Sequence, residues 1–100
     1  MKKPTRRNDL QYLREVRNLP CLGCGSVGNS EAHHVKTWAS GGGDDVWNII
    51  PLDRWCHAEI HHIGLTRFAE RHTKVKTWLL DNKWEFCNVK NKWLPPKQTA

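Results

Sequence analysis

Between Cys21 and His61 the chain places residue types that bind cations among residue types that bend backbones. In order these are Cys21-Leu22-Gly23-Cys24-Gly25, His33-His34, Gly41-Gly42-Gly43-Asp44-Asp45, Asn48 and Asp53-x-x-Cys56-His57-x-x-x-His61. A chain of 100 residues has room for one domain with a limited apolar core, and domains of that size are commonly stapled by a metal or by disulfides. This ordered stretch therefore constrains the fold more than any apolar run does. The balance of 38% hydrophobic and 26% charged residues is that of a folded rather than a disordered chain.

The flanking pattern supplies the remaining elements. Residues 1–8 read as a basic arm, and residues 9–100 as a single domain. Leu10, Leu13 and Val16 recur near the helical period after Asp9, a residue suited to cap a helix, and Leu19-Pro20 ends that helix. The glycines of Cys21–Gly25 allow a knuckle-like turn that brings two thiolates to one point. Residues 31–38 and 46–52 read as strands separated by the glycine loop. Asp53 then caps a helix running to about Ile63 and closed by Gly64. A last helix is predicted from Thr66 to about Asn82, with Phe68, Val75, Trp78 and Leu79 on one face. Residues 84–87 and 92–94 are placed to pair as a terminal hairpin. The class is α+β, with a ββα core at about residues 31–63.

A net charge of +6 favours a polyanionic partner. No apolar run approaches the roughly 20 residues that span a bilayer, and the basic start leads into no apolar signal core. The expected location is cytoplasmic, where a CxxC pair binds metal more often than it forms a disulfide. Six tryptophans are expected mostly in the core, with Trp38 beside the glycine loop the one best placed to be exposed and to stack on bases.

Three groups carry candidate chemistry. His57 and His61, four apart on a helix, share a face and can share a metal ion; His62 lies on another azimuth. His33 and His34, adjacent on a strand, point to opposite faces, so one site uses both only if the strand twists or their roles differ, as a metal ligand and a proton acceptor. Cys21 and Cys24 form a common zinc half-site, with Cys56 and Asp53 where a second half-site is expected. A structural zinc, a metal-free core of small apolar thiols and a redox pair all remain open for that set. Asn48 can hold a loop or a neighbouring ring through its amide.

In this order the motifs resemble the HNH, or ββα-metal, endonuclease family. The match is carried by Cys21-Leu-Gly-Cys24, Ala32-His33-His34-Val35, Gly41-Gly-Gly-Asp-Asp45, Asn48-Ile-Ile-Pro-Leu52, Cys56-His57 and His61. It is nearest to the short phage and prophage nucleases, and it covers roughly the middle half of the chain. The resemblance implies that His34 is the general base, that Asn48 orients it or fixes the hairpin, and that His57, His33 and His61 ligate the catalytic metal. His61 matches a helix histidine of the bacteriocin nucleases. Where relatives often carry cysteine this chain has Asp53, which also suits a helix cap.

The implied activity is metal-dependent hydrolysis of nucleic-acid phosphodiester bonds, DNA rather than RNA, in a bacterial or phage-infected cell, by a monomer or homodimer. A neutral imidazole can accept a water's proton at cellular pH. A ligand set of imidazoles favours Zn, Ni, Co or Mn over Mg. The competing reading is a non-catalytic zinc-knuckle module that binds nucleic acid and has no need of His34.

Overall fold

A short amphipathic helix, α1 (Leu10–Arg17), begins where Asp9 turns its side chain back to accept the Tyr12 N–H at 2.9 Å. This computed structural model describes residues 8–97; the expected basic arm lies, apart from Asn8, outside them. Of the three apolar positions that predict α1, Val16 is fully buried, whereas Leu10 is exposed.

Two antiparallel strands follow, β1 (Glu31–His34) and β2 (Ile49–Leu52), in the register Glu31↔Leu52, Ala32↔Pro51, His33↔Ile50 and His34↔Ile49. Both are shorter than their sequence pattern suggests. After His34 the chain leaves the sheet for a 3₁₀ turn at Trp38–Ser40, capped by Thr37. The apolar run 46–52 starts in solvent, because Val46 is exposed and a turn closes through the Asn48 N–H onto the Asp45 carbonyl at 2.8 Å. All four residues of β2 are buried, between α1 and α2. Pro51 is tolerated because β2 pairs on one side alone in the sheet, and its carbonyl accepts the Leu22 N–H at 2.8 Å, which docks the cysteine knuckle onto the strand.

Helix α2 (Arg54–Arg71) crosses a break at Gly64, whose φ of 85° is readily reached only by glycine. The expected stop at Gly64 is thus a kink: helical backbone resumes at once. The expected unbroken helix 66–82 is divided instead at His72, where φ −125° and ψ 93° are extended, before α3 (Thr73–Asp81). The His72 ring packs on Phe68, with centroids 4.3 Å apart, and meets Glu59 at 2.6 Å. Side-chain contacts hold that residue out of the helix.

The terminal hairpin forms as β3 (Glu85–Cys87) and β4 (Lys92–Leu94). Trp84 and Trp93 are buried, and the Trp84 indole N–H donates to the Trp47 carbonyl at 2.7 Å. Trp47 and Trp78 pack against the same core, which centres on Ile50, Leu52, Phe68, Val75 and Leu79. Trp38 is exposed, as its position suggested, but Trp55 is more so. The result is an α+β domain of three helices and two small sheets. Among the described residues no helix is long and apolar enough to cross a membrane.

Candidate metal centres and proton acceptor

Strand alternation divides the histidine pair. His33 points into the space between β1 and α2 and is 8% exposed. There it meets the two histidines that the i, i+4 spacing of α2 places on one face. Ring centroids lie 4.9 Å apart for His33–His57, 5.2 Å for His33–His61 and 4.9 Å for His57–His61. One ring nitrogen of each lies within 4.8 Å of the others. Imidazole nitrogens around a tetrahedral zinc sit about 3.3 Å apart, so small side-chain adjustments suffice for the three to hold one ion. Burial runs from buried at His33 to exposed at His61, which leaves the cluster open to solvent on one side. Burial, followed by repulsion from His57, His61 and His34, pushes His33 down to about 3. That imidazole stays neutral and keeps a lone pair for a cation. The electrostatics thus oppose a proton at the place where a divalent ion fits.

A carboxylate that the sequence pattern did not single out supports this group. Glu31, two residues before His33 and therefore on the same face of β1, meets His57 Nδ1 with Oε1 at 2.7 Å. Such a partner orients a ligating imidazole and leaves its other nitrogen for the metal.

His34 faces the other side of the strand. Its Nε2 lies 2.7 Å from Asp44 Oδ1, and the Asp44 side chain is 5% exposed against 27% for His34. The second Asp44 oxygen accepts the Asp9 N–H at 2.9 Å, tying the start of α1 to the loop. A carboxylate can only accept, so the shared proton sits on Nε2 and Nδ1 is left as an acceptor. Trp38 stands edge-on to the same ring at 6.3 Å. In the sequence Asp44 is simply part of the glycine loop; the visible signal is its place directly after three glycines, where a loop folds back on itself.

Asn48 holds that loop. Fully buried, it accepts the Lys36 N–H at 2.6 Å and donates to the Lys36 and Gly43 carbonyls, each at 3.0 Å. It secures the segments on either side of the 3₁₀ turn, and these amide bonds go to loop backbone rather than to the His34 ring. A Cβ on Gly42 would come within 1.9 Å of the Lys36 carbonyl oxygen and 2.7 Å of Asn48 Nδ2, so a side chain there forces the loop apart.

The second cluster lies at the start of α2. Ligand atoms of Cys21, Cys24, Asp53 and Cys56 all fall within 4.8 Å of one another, against about 3.8 Å for thiolates around a tetrahedral zinc. Asp53 uses one oxygen to cap α2, accepting the Cys56 N–H at 2.8 Å, and the other to accept from the Cys24 thiol and the Ser26 hydroxyl, both at 2.8 Å. Those bonds, the Cys24 thiol first, hold the Asp53 carboxyl below the usual range. Burial pushes the Cys21 thiol up, but hydrogen bonds from the Cys24, Asp53 and Gly23 backbone and the Cys56 side chain outweigh it and leave Cys21 lowered. Burial, then its Cys21 neighbour, pushes Cys56 up. Among the described residues no lysine, arginine or histidine pairs with Asp53. A buried anionic group without a cationic partner is costly, and a metal ion satisfies it. Gly23 is required here, because a Cβ would meet Cys56 Sγ at 2.8 Å. His62 joins neither cluster, and Cys87 stands apart as a free thiol.

No curated protein and no solved structure matches the chain. Residues 21–63 match the family model described as HNH endonuclease. The matched stretch begins at the first knuckle cysteine, contains both clusters with His34, Asp44 and Asn48, and ends with the first half of α2. In this stretch the chain is thus similar to the HNH endonuclease family.

Proposed function

We propose that the protein is a metal-dependent endonuclease that hydrolyses DNA phosphodiester bonds with His34 as general base. The observation that carries this reading is the Asp44–His34 pair, held one residue along β1 from an open three-histidine cluster. A structural zinc module has no use for a fourth imidazole whose free nitrogen is set by a buried carboxylate.

His33, His57 and His61 would hold a divalent ion, which when bound would supply Lewis-acid stabilisation of the negative charge that develops in the reaction. The chain's own groups do the rest. His34 Nδ1 takes a proton from the attacking water, whose oxygen bonds to phosphorus as the P–O3′ bond breaks. The departing 3′ oxygen takes a proton from solvent. Asp44 keeps His34 in the tautomer that can accept, and stabilises the imidazolium that results. Asn48 is a positioning residue: it keeps the Gly41–Asp45 loop, and Asp44 with it, in register with β1. Glu31 orients His57. The net charge of +6 draws the DNA backbone toward the domain. Cys21, Cys24, Asp53 and Cys56 would hold a structural zinc, tying the knuckle to the first turn of α2. Residues 1–8 serve as a basic arm to the domain formed by residues 9–100, in the cytoplasm of a bacterial or phage-infected cell.

Incubation of supercoiled plasmid with the protein and a panel of divalent ions tests the reading. Nicked or linear product is expected with Mn²⁺, Ni²⁺ or Co²⁺ at least as readily as with Mg²⁺, since imidazole nitrogens favour the former. His34→Ala is expected to lower the rate by about 10²–10⁴-fold while plasmid binding persists. A protein that binds plasmid with every ion and cuts it with none is the non-catalytic zinc-knuckle module instead.

A further inference from the structure

The first turn of α2 presents an aromatic ring to solvent that neither cluster uses. Trp55 is 71% exposed, although it sits on rigid helix between the ligand Cys56 and the cap Asp53. The Arg54 guanidinium lies over the ring at 4.6 Å from its centroid. With so much of the residue in water, only one ring face can be covered, and the other is left for stacking. Trp55 and Arg54 form one wall of a groove of about 410 Å³ whose other walls are Ser26, Asn29, Glu31 and Asp53. Glu31 is the residue bonded to His57, so the groove runs up to the histidine cluster.

We propose that this groove seats one unpaired base of a DNA strand, stacked on the open face of Trp55 with Arg54 on the opposite face. This assignment rests on the nuclease reading for its substrate class and narrows it to strands with an unpaired base near the cut. Three features select a base over a phosphate as the occupant. Glu31 and Asp53 line the walls and repel an anion. The Asn29 amide and the Glu31 carboxylate can both pair with the polar edge of a base. The aromatic ring offers what every unpaired base seeks, a π face, and a cation over the ring adds to the attraction. In an intact duplex both faces of each base are already stacked, so Trp55 has nothing to receive.

The test measures binding by fluorescence anisotropy, with zinc present, in a His34→Ala background that prevents cutting. The probes are a fluorescein-labelled 12-nucleotide oligothymidine and a labelled 12-base-pair duplex. Trp55→Ala is expected to weaken oligothymidine binding about 5- to 150-fold, the range of one base–aromatic stack. Trp55→Phe should recover most of that loss, and duplex affinity should change by less than about 2-fold. Because Trp55 is exposed, the thermal midpoint should not move. Equal losses on both probes, or no loss on the single strand, overturn the proposal. Plasmid cleavage by the unmodified chain separates the two readings. Robust cutting with an inert Trp55→Ala removes the groove alone, whereas selective loss of single-strand binding in a protein that cuts nothing leaves the groove and removes the nuclease.

Discussion

The two clusters on α2 share a helix and little else. The cysteine–aspartate set has three of its four members buried and lies against Phe68 and the knuckle, while the histidine set grades from buried to exposed. A closed set of soft and anionic ligands is the form of a structural metal site; three imidazoles with an open side are the form of a catalytic one. Cys56 and His57 are neighbours in the first turn of α2 but lie about 100° apart around its axis, so Cys56 faces the knuckle while His57, with His61 one turn on, faces β1. Rotation about the helix axis, more than residue type, decides which ligands keep contact with solvent.

The comparison is broken most severely by exchanging a single ligand on each side. His61→Ala removes an exposed imidazole and should lower plasmid cleavage by about 10²-fold or more, with a thermal midpoint within about 2 °C of the parent. Cys56→Ser should do the reverse. It should lower the midpoint by roughly 10 °C or more, with loss of one bound zinc per chain by metal analysis, because binding energy at a structural site is folding energy. If both variants lose only activity, the two sites are not distinct in kind.

Asp44→Asn sharpens the catalytic side. The amide can meet His34 Nε2 as a donor, which favours the tautomer whose Nδ1 cannot accept a proton. Cleavage should fall by about 10²–10⁴-fold with metal binding unchanged by calorimetry. A small effect would reduce Asp44 to a loop anchor.

Asp53→Asn addresses the structural side. Asparagine caps helices about as well as aspartate, so a residue that merely caps would tolerate the change. As a ligand, Asp53 should instead show an approximately 10- to 100-fold loss of zinc affinity in a chelator competition. Glu31→Gln should produce a loss of similar size at the histidine cluster alone.

A separate effect is one of pH, read on the metal-free protein. His33 is depressed in the fold from 6.5 to about 3, so between those values the unfolded chain binds the additional proton. Stability is therefore full above the unfolded value and falls as pH drops toward 3, by on the order of a few kcal/mol. His33→Asn should flatten that part of the profile in urea titrations. An unchanged slope would show that His33 is not held neutral by its burial and the histidines around it.

Local spacing made much of this molecule legible. The turn of Cys21–Gly25, the caps Asp9 and Asp53, and the shared face of His57 and His61 each depend on residues within about one helical turn of each other. The terminal hairpin was visible for the same reason. Legibility stopped where a side chain meets one far along the chain. Asp44 is 10 residues from His34 and Glu31 is 26 from His57, so neither pairing leaves a periodic trace. The break at His72 was hidden because Glu59, 13 residues earlier, and Phe68 hold that ring outside a pattern that otherwise continues. Trp55 was hidden by the sound expectation that a small domain buries its tryptophans.

What the amino-acid order determined on its own is the supply of ligands and the turns that present them: two thiols across a glycine knuckle, two imidazoles across a helical turn, and a strand with a histidine for each face. What only the tertiary structure decided is the assignment of partners. The β1–β2 register sets His33 toward α2, and the fold-back of the glycine loop, pinned by Asn48, brings a buried carboxylate to His34. Backbone geometry within a few residues follows from local stereochemistry, whereas the meeting of distant side chains depends on how whole elements pack, and that depends on the complete core.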